Sequence, residues 1–208
     1  MPNKELVRFN IKNAKYAVKS NNGYGSPVAF GYSDSISLES NYSEKLIYGD
    51  GRVVLTIPND KGKTGSLGLL TIDEAYEIAM KRKLKTANGT AEIKQMASIE
   101  HAIYFEFDYY ESDGEVKTGK TIIYGVTSGR ASETFNQTTE DINNNTISYP
   151  LTIKGEPMLA ANGTDTYKDE KGNVVYAWQE TSIPGDDGYD VFGQTINAPK
   201  APTSALNL

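Results

Sequence analysis

Between His101 and Val126 the chain reads HAIYFEFDYYESDGEVKTGKTIIYGV, and this run restricts the fold more than any other. The odd positions His101, Ile103, Phe105, Phe107 and Tyr109 are nearly all apolar or aromatic. The even positions Ala102, Tyr104, Glu106, Asp108 and Tyr110 mix in charge. Period-two alternation with aromatic and β-branched residues is the pattern of a half-buried strand. Asp113-Gly114 supplies a type I′ turn, because both central residues tolerate positive φ. If Ser112 faces Glu115, Phe105 falls opposite Ile122, Ile103 opposite Tyr124 and His101 opposite Val126. A slip of one residue would turn Phe105 and Ile103 outward. The expectation is one long amphipathic hairpin with the remaining strands laid beside it.

The chain has 208 residues, enough for one domain with a single core. It has no cysteine, which excludes disulfides, thiol catalysis and Cys-based zinc sites. No apolar run approaches the roughly 20 residues of a membrane-spanning helix. The first residues, MPNKELVRFNIKNAK, lack the apolar stretch of a signal peptide, so folding in the cytoplasm is expected. The one histidine, His101, falls inside the predicted strand and reads as a partly buried strand residue. Net charge is −6 and unevenly placed: residues 1–100 carry +3 and residues 101–208 carry −9. That sign argues against a surface that grips nucleic acid through its phosphates, although nucleic acid can still pass such a surface without sticking.

Along the chain, Phe9 and Ile11 share one parity and Ala14, Tyr16 and Val18 the other, so a strand with a bulge near Asn13 is expected. Val28 to Leu38 alternates again. Residues 39–68 read as strands carrying long exposed loops: the polar stretch ESNYSEKLIYGDG, a short strand RVVLTI stopped by Pro58, then NDKGKTGSLG. Removing residues 59–66 is expected to leave the subunit folded. One helix comes next, with Thr71 as N-cap and Glu74 completing a capping box. Its face carries Ile72, Ala75, Tyr76, Ala79 and Lys83, and the run KRKLK at its end reads as solvated charge matched to the helix dipole. Further strands are expected at Ala91–Ile99, Ala131–Asn136, Thr146–Lys154 and in GNVVYAWQ (172–179). Pro150 marks the third of these as an edge strand or a bulge. The proline-rich end, residues 196–208, reads as an extended arm.

Gly114 to Thr121 matches the phosphate-loop pattern G-x-x-x-x-G-K-T letter for letter. Its continuation, TIIYGV (121–126), is strand-like, whereas a phosphate loop opens a helix, so nucleotide binding is not expected. Asp186, Asp187 and Asp190 lack calcium-loop spacing. Glu106 and Asp108, two apart on one strand, resemble a glycosidase pair only in composition. No catalytic residue, metal or cofactor is expected.

The order of the pieces is more informative than any motif. SISLESNYSEKLIYGDG (35–51), IEHAIYFEFDYYESDGEVKTGKTIIYGV (99–126) and TFNQTTEDINNNTISYPLTIKGEP (134–157) together resemble the major tail protein family of long-tailed, non-contractile phages, over roughly residues 9–195. The resemblance implies a mainly β fold, a β-sandwich or partial barrel with one flanking helix, in a tail tube domain of residues 1–195. It implies a structural virion protein, not an enzyme, whose hexameric rings stack into the tube that conducts phage DNA. Its partners would be itself, the tape measure, terminator and distal tail proteins, and double-stranded DNA passing without specific binding; no membrane is involved. Tyr48, Asp50, Asn59, Asp60, Lys61 and Lys63 are the candidate inter-subunit residues. Glu106 and Asp108 are candidate lumen-facing acids. Assembly would occur in the host cytoplasm and the product would reside in the virion. The alternative is a secreted or surface β-sandwich that binds carbohydrate or a receptor.

Overall fold

The computed structural model describes residues 7–94, 97–111, 114–132 and 147–202. In chain order these form β1 (Val7–Ser20), β2 (Gly23–Tyr24), β3 (Val28–Ala29), β4 (Ser33–Gly49), β5 (Arg52–Leu69), helix α1 (Glu74–Ala79), β6 (Lys83–Thr86), β7 (Gly89–Glu92), β8 (His101–Tyr110), β9 (Val116–Ser128), β10 (Ile147–Ile153), β11 (Glu156–Pro157), β12 (Tyr176–Ala177) and β13 (Gln179–Ser182). A 3-10 turn spans Tyr189–Val191. The chain is mainly β with one short helix, as expected.

Nine strands make one antiparallel sheet in the order β2-β1-β8-β9-β10-β5-β4, with β3 added to β1 and β13 to β9. β6 with β7 and β11 with β12 form separate pairs. The main sheet curls. β1 and β4 stand far apart in the strand order but approach one another. Both feed one core: Ala14 and Tyr16 from β1, Ile36 and Leu38 from β4, together with Leu67, Leu69, Ile103, Ile123, Val126, Tyr149, Leu151 and Ile153.

The central hairpin exists, but its register is shifted. Ile103 faces Ile123 and Phe105 faces Thr121. Three residues separate Glu111 from Glu115, which are joined by a 3.1 Å bond from the Glu111 amide to the Glu115 carbonyl. Gly114 is left-handed (φ 82°). A three-residue connection moves every pair by one relative to a two-residue I′ turn. His101 still faces Val126, because Tyr124 and Gly125 together oppose Ala102 and this bulge restores the count. Nor is the hairpin half-buried. Its second face holds another core of Ala17, Ala102, Tyr104, Ile122 and Tyr124, closed by Ile196.

That closure corrects the reading of the chain end as an extended arm. The Leu159 amide donates to the Pro199 carbonyl and the Ala201 amide to the Leu159 carbonyl, both at 2.8 Å. Ile196 and Ala201 are buried. Residues 203–208 lie outside the described residues.

β1 carries the bulge expected near Asn13 and a second at Asn10, both at positive φ (52° and 53°). α1 is shorter than the sequence suggested. Asp73, not Thr71, is the N-cap: one carboxylate oxygen accepts from the Tyr76 amide at 3.0 Å, the other from the Gly31 amide at 2.9 Å. Lys81 turns left-handed (φ 56°) and stops the helix. The KRKLK run is therefore not one solvated helical face. Arg82 is fully buried, and Lys83 and Lys85 lie in β6. Pro150 is not on an edge, since β10 sits between β9 and β5. The Pro150 carbonyl accepts from the Gly129 amide at 2.8 Å. A strand residue's N and O point to one side, so the missing donor faces the place where the β9 ladder has already ended. Among the described residues of the expected strand Ala91–Ile99, only 91 and 92 lie in a strand, within β7. Of Ala131–Asn136 only residues 131 and 132 are described, and Ser132 bridges Ser148.

Candidate assembly interface

Residues 39–68 are strand, not long loops. β4 and β5 pair from Ser33↔Leu69 out to Gly49↔Arg52. The turn is Asp50-Gly51, with φ of 51° and 73°, the two positive values a type I′ connection requires. Pro58 does not end β5; it lies opposite Glu44. β10 pairs with β5 only from Lys63 to Leu69. Beyond that point β4 and β5 have only each other among the described residues. The hairpin therefore leaves the body of the molecule as a two-stranded arm of roughly 25 Å, at about 3.3 Å per residue.

The arm is exposed along its length and apolar on both faces. One face presents Tyr42, Leu46 and Tyr48 with Pro58 opposite Glu44; the other presents Ile47, Leu55 and Ile57. Tyr48 and Val54 are each 65% exposed, and Tyr42, Leu46, Ile47, Val53, Leu55 and Ile57 are all exposed as well. Surface apolar residues are ordinary when scattered; a contiguous group like this marks an interaction surface. A two-stranded ribbon is also marginal in water without something packed on it. Residues 42–60 carry three acidic and two basic side chains, so the arm itself has a net charge of only −1 within a −6 chain.

The six candidate inter-subunit residues fall at different levels. Tyr48 and Asp50 are at the tip. Asn59 and Asp60 are at the base of the arm, opposite Ser43 and Tyr42. Lys61 lies where the arm meets the body, and Lys63 is below it, half-buried, with Nζ 3.4 Å from Gln179 Oε1. The sequence reading missed the apolar members Leu46, Ile47, Val53, Val54, Leu55 and Ile57. Two apolar runs flanking Asp50-Gly51 are a hairpin signal and carried the information.

Glu106 and Asp108 are not free acidic surface. Asp108 is buried and accepts from Lys12 Nζ at 2.6 Å, Asn10 Nδ2 at 2.7 Å and Thr118 Oγ1 at 2.9 Å. The bond from Lys12, then that from Asn10, holds its carboxyl below the usual range. Glu106 accepts from Asn13 Nδ2 and the Tyr104 hydroxyl, each at 2.7 Å. The two bulging asparagines of β1 thus aim their amides at these two carboxylates.

A second polar cluster pins α1 to the sheet. Arg82 lies between the rings of Tyr76 and Tyr149, 5.2 and 5.4 Å from their centroids. It faces Glu77 at 3.0 Å and donates to the Ser128 and Gly129 carbonyls. The Tyr76 oxygen lies 2.6 Å from Ser128 Oγ. This cluster is closed to solvent, which suits a structural role. The phosphate-loop pattern Gly114–Thr121 runs into β9, and Gly119 is packed against the Phe107 ring. Among the described residues, no three His, Asp or Glu side chains converge as a metal-binding set.

No protein-family model matches this chain, and no curated protein matches it.

Proposed function

We propose that this chain is a self-assembling structural protein, a phage tail tube subunit whose hexameric rings stack into the conduit for DNA. The observation that carries this reading is the arm, Tyr42–Asp60, apolar on both faces and paired with nothing else among the described residues. The occupant that covers it is a second copy of this chain. An arm of net charge −1 meets a like-charged neighbour with little added repulsion, and like-charged contact elsewhere is costly. Among the described residues, the outer sides of β4 and of β1 from Val7 to Asn13 also have no strand paired to them. Unpaired strands of this kind are completed by neighbours in assemblies. The order of sequence blocks that resembles the major tail protein family points the same way.

In this reading the protein resides in the virion, contacts tape measure, terminator and distal tail proteins, and performs no catalysis. Asp108 contributes little to a DNA-repelling lumen, because Lys12 neutralises it. Glu106, held by neutral donors, is the better candidate of the two.

The test is negative-stain microscopy of the concentrated protein, alone and with the other tail proteins. Hollow tubes or six-fold rings support the reading. A subunit that stays monomeric and also fails to join assembling tails overturns it, and glycan binding by that monomer would favour the secreted binding module.

A further inference from the structure

The ladder between β4 and β5 breaks where the arm leaves the body. Ser40 faces Lys63 and Tyr42 faces Asp60, so Asn41 alone opposes Lys61 and Gly62. Gly62 is left-handed, with φ of 93°. Asp60 Oδ1 accepts from its amide at 3.0 Å. The last pair between β5 and β10, Lys63↔Ile153, is at the same level. Burial changes there too: every β5 residue from Arg52 to Lys61 is exposed, and Gly62 is buried.

Over this break lies Trp178, the only tryptophan. A Cβ placed on Gly62 would come 2.8 Å from the indole ring and 2.5 Å from the Ile153 carbonyl oxygen. Trp178 is itself fixed. Its carbonyl accepts from the Tyr124 amide at 3.0 Å, and its ring packs against the main core.

We propose that Gly62 is the pivot of the arm and that Trp178 is the stop that sets its resting direction. Three paired strands below the bulge make a stiff root. Two above it make a light ribbon. The unpaired residues between them absorb backbone rotation without breaking a ladder bond, as hinge residues do. The arm then turns as one body, and the indole limits how far. The pivot belongs to the single subunit and holds whether or not the subunit forms tubes.

A chain without cysteine accepts paired spin labels at chosen sites, and double electron–electron resonance on dilute protein reads the distances. One pair, Thr56→Cys with Thr152→Cys, spans arm to root. The other, Ser43→Cys with Arg52→Cys, lies within the arm. All four positions are exposed. In Trp178→Ala the arm-to-root distribution is expected to widen at least twofold, while the within-arm distribution keeps its width. An arm-to-root width unchanged from the parent overturns the stop. Widening of both pairs overturns the pivot, because the arm then frays. Trp178→Leu, which keeps an apolar filler over the core, is measured alongside and read the same way should Trp178→Ala not fold by circular dichroism.

Discussion

Tyr76 and His101, 25 residues apart in sequence, meet through a 3.0 Å hydrogen bond between phenol oxygen and imidazole Nε2, inside the protein. His101 Nδ1 lies 3.2 Å from the Ile99 carbonyl. A carbonyl only accepts, so the ring proton sits on Nδ1. The ring is neutral at pH 7. Burial, aided by the nearby Arg82 charge and opposed by the Ile99 carbonyl, lowers its pKa to about 4.

Acid should therefore weaken the fold through this residue. A histidine that titrates at about 4 when folded and at about 6.5 when unfolded leaves the unfolded chain holding more protons between those values. Stability is full above about pH 6.5 and is lost as pH falls toward 4. At pH 5 the loss from His101 alone is about 2 kcal/mol. Urea unfolding at pH 7 and pH 5, for the parent and His101→Gln, isolates the effect: the parent should lose about that much more than the variant.

Arg82→Met should be among the most damaging single changes in the chain. It leaves Glu77, 4% exposed, without its cation. Removing one partner of a buried pair costs about 3–5 kcal/mol. Adding Glu77→Gln to Arg82→Met should recover part of that. Equal unfolding midpoints for the single and double variants would show that the pair is not coupled.

Substituting Leu46, Leu55 and Ile57 together by serine should abolish assembly and barely move the subunit's melting temperature, because all three are exposed in the free chain. Removing 59–66 is not the clean cut the sequence suggested, since Lys63–Ser66 pair with both β4 and β10. A cut of 43–58, rejoined by a short turn, spares the sheet. Sedimentation and calorimetry on these variants separate assembly from folding; tubes formed by the triple variant would dismiss the arm's role.

Two left-handed glycines should respond very differently to alanine. Gly51, in the arm turn, has nothing within 4 Å of an added Cβ, so Gly51→Ala carries only the left-handed cost of about 1–2 kcal/mol. At Gly125 the added carbon would sit 2.2 Å from the Gly155 carbonyl oxygen. Gly125→Ala should lose several times as much, or fail to fold. Chemical denaturation of the pair compares them directly.

Much of the sheet was legible from side-chain alternation, and what was missed has physical causes. The switch of parity between Ile11 and Ala14 gave the Asn13 bulge, because a bulge is the one strand feature that alternation records. The hairpin register was not recoverable that way. Asp113-Gly114 suits a two-residue turn, and only the Glu111–Glu115 bond shows a three-residue one. Arg82 stands among four other cationic or apolar neighbours in KRKLK, and nothing local says that Glu77, Tyr76 and Tyr149 enclose it. The arm hid for a related reason. Proline and charged residues interrupt its strands, which a buried strand would not tolerate and a solvent-borne ribbon does.

The bond from Asn10 to Asp108 joins residues 98 apart, whereas the arm closes through the two residues Asp50 and Gly51. Short closures form in microseconds, and contacts of high sequence separation form late. During synthesis the arm can pair as soon as residue 60 emerges, but the strand that roots it, β10, begins at Ile147. Its apolar surface thus precedes the body that carries it, and the nascent chain is most prone to aggregate in that interval.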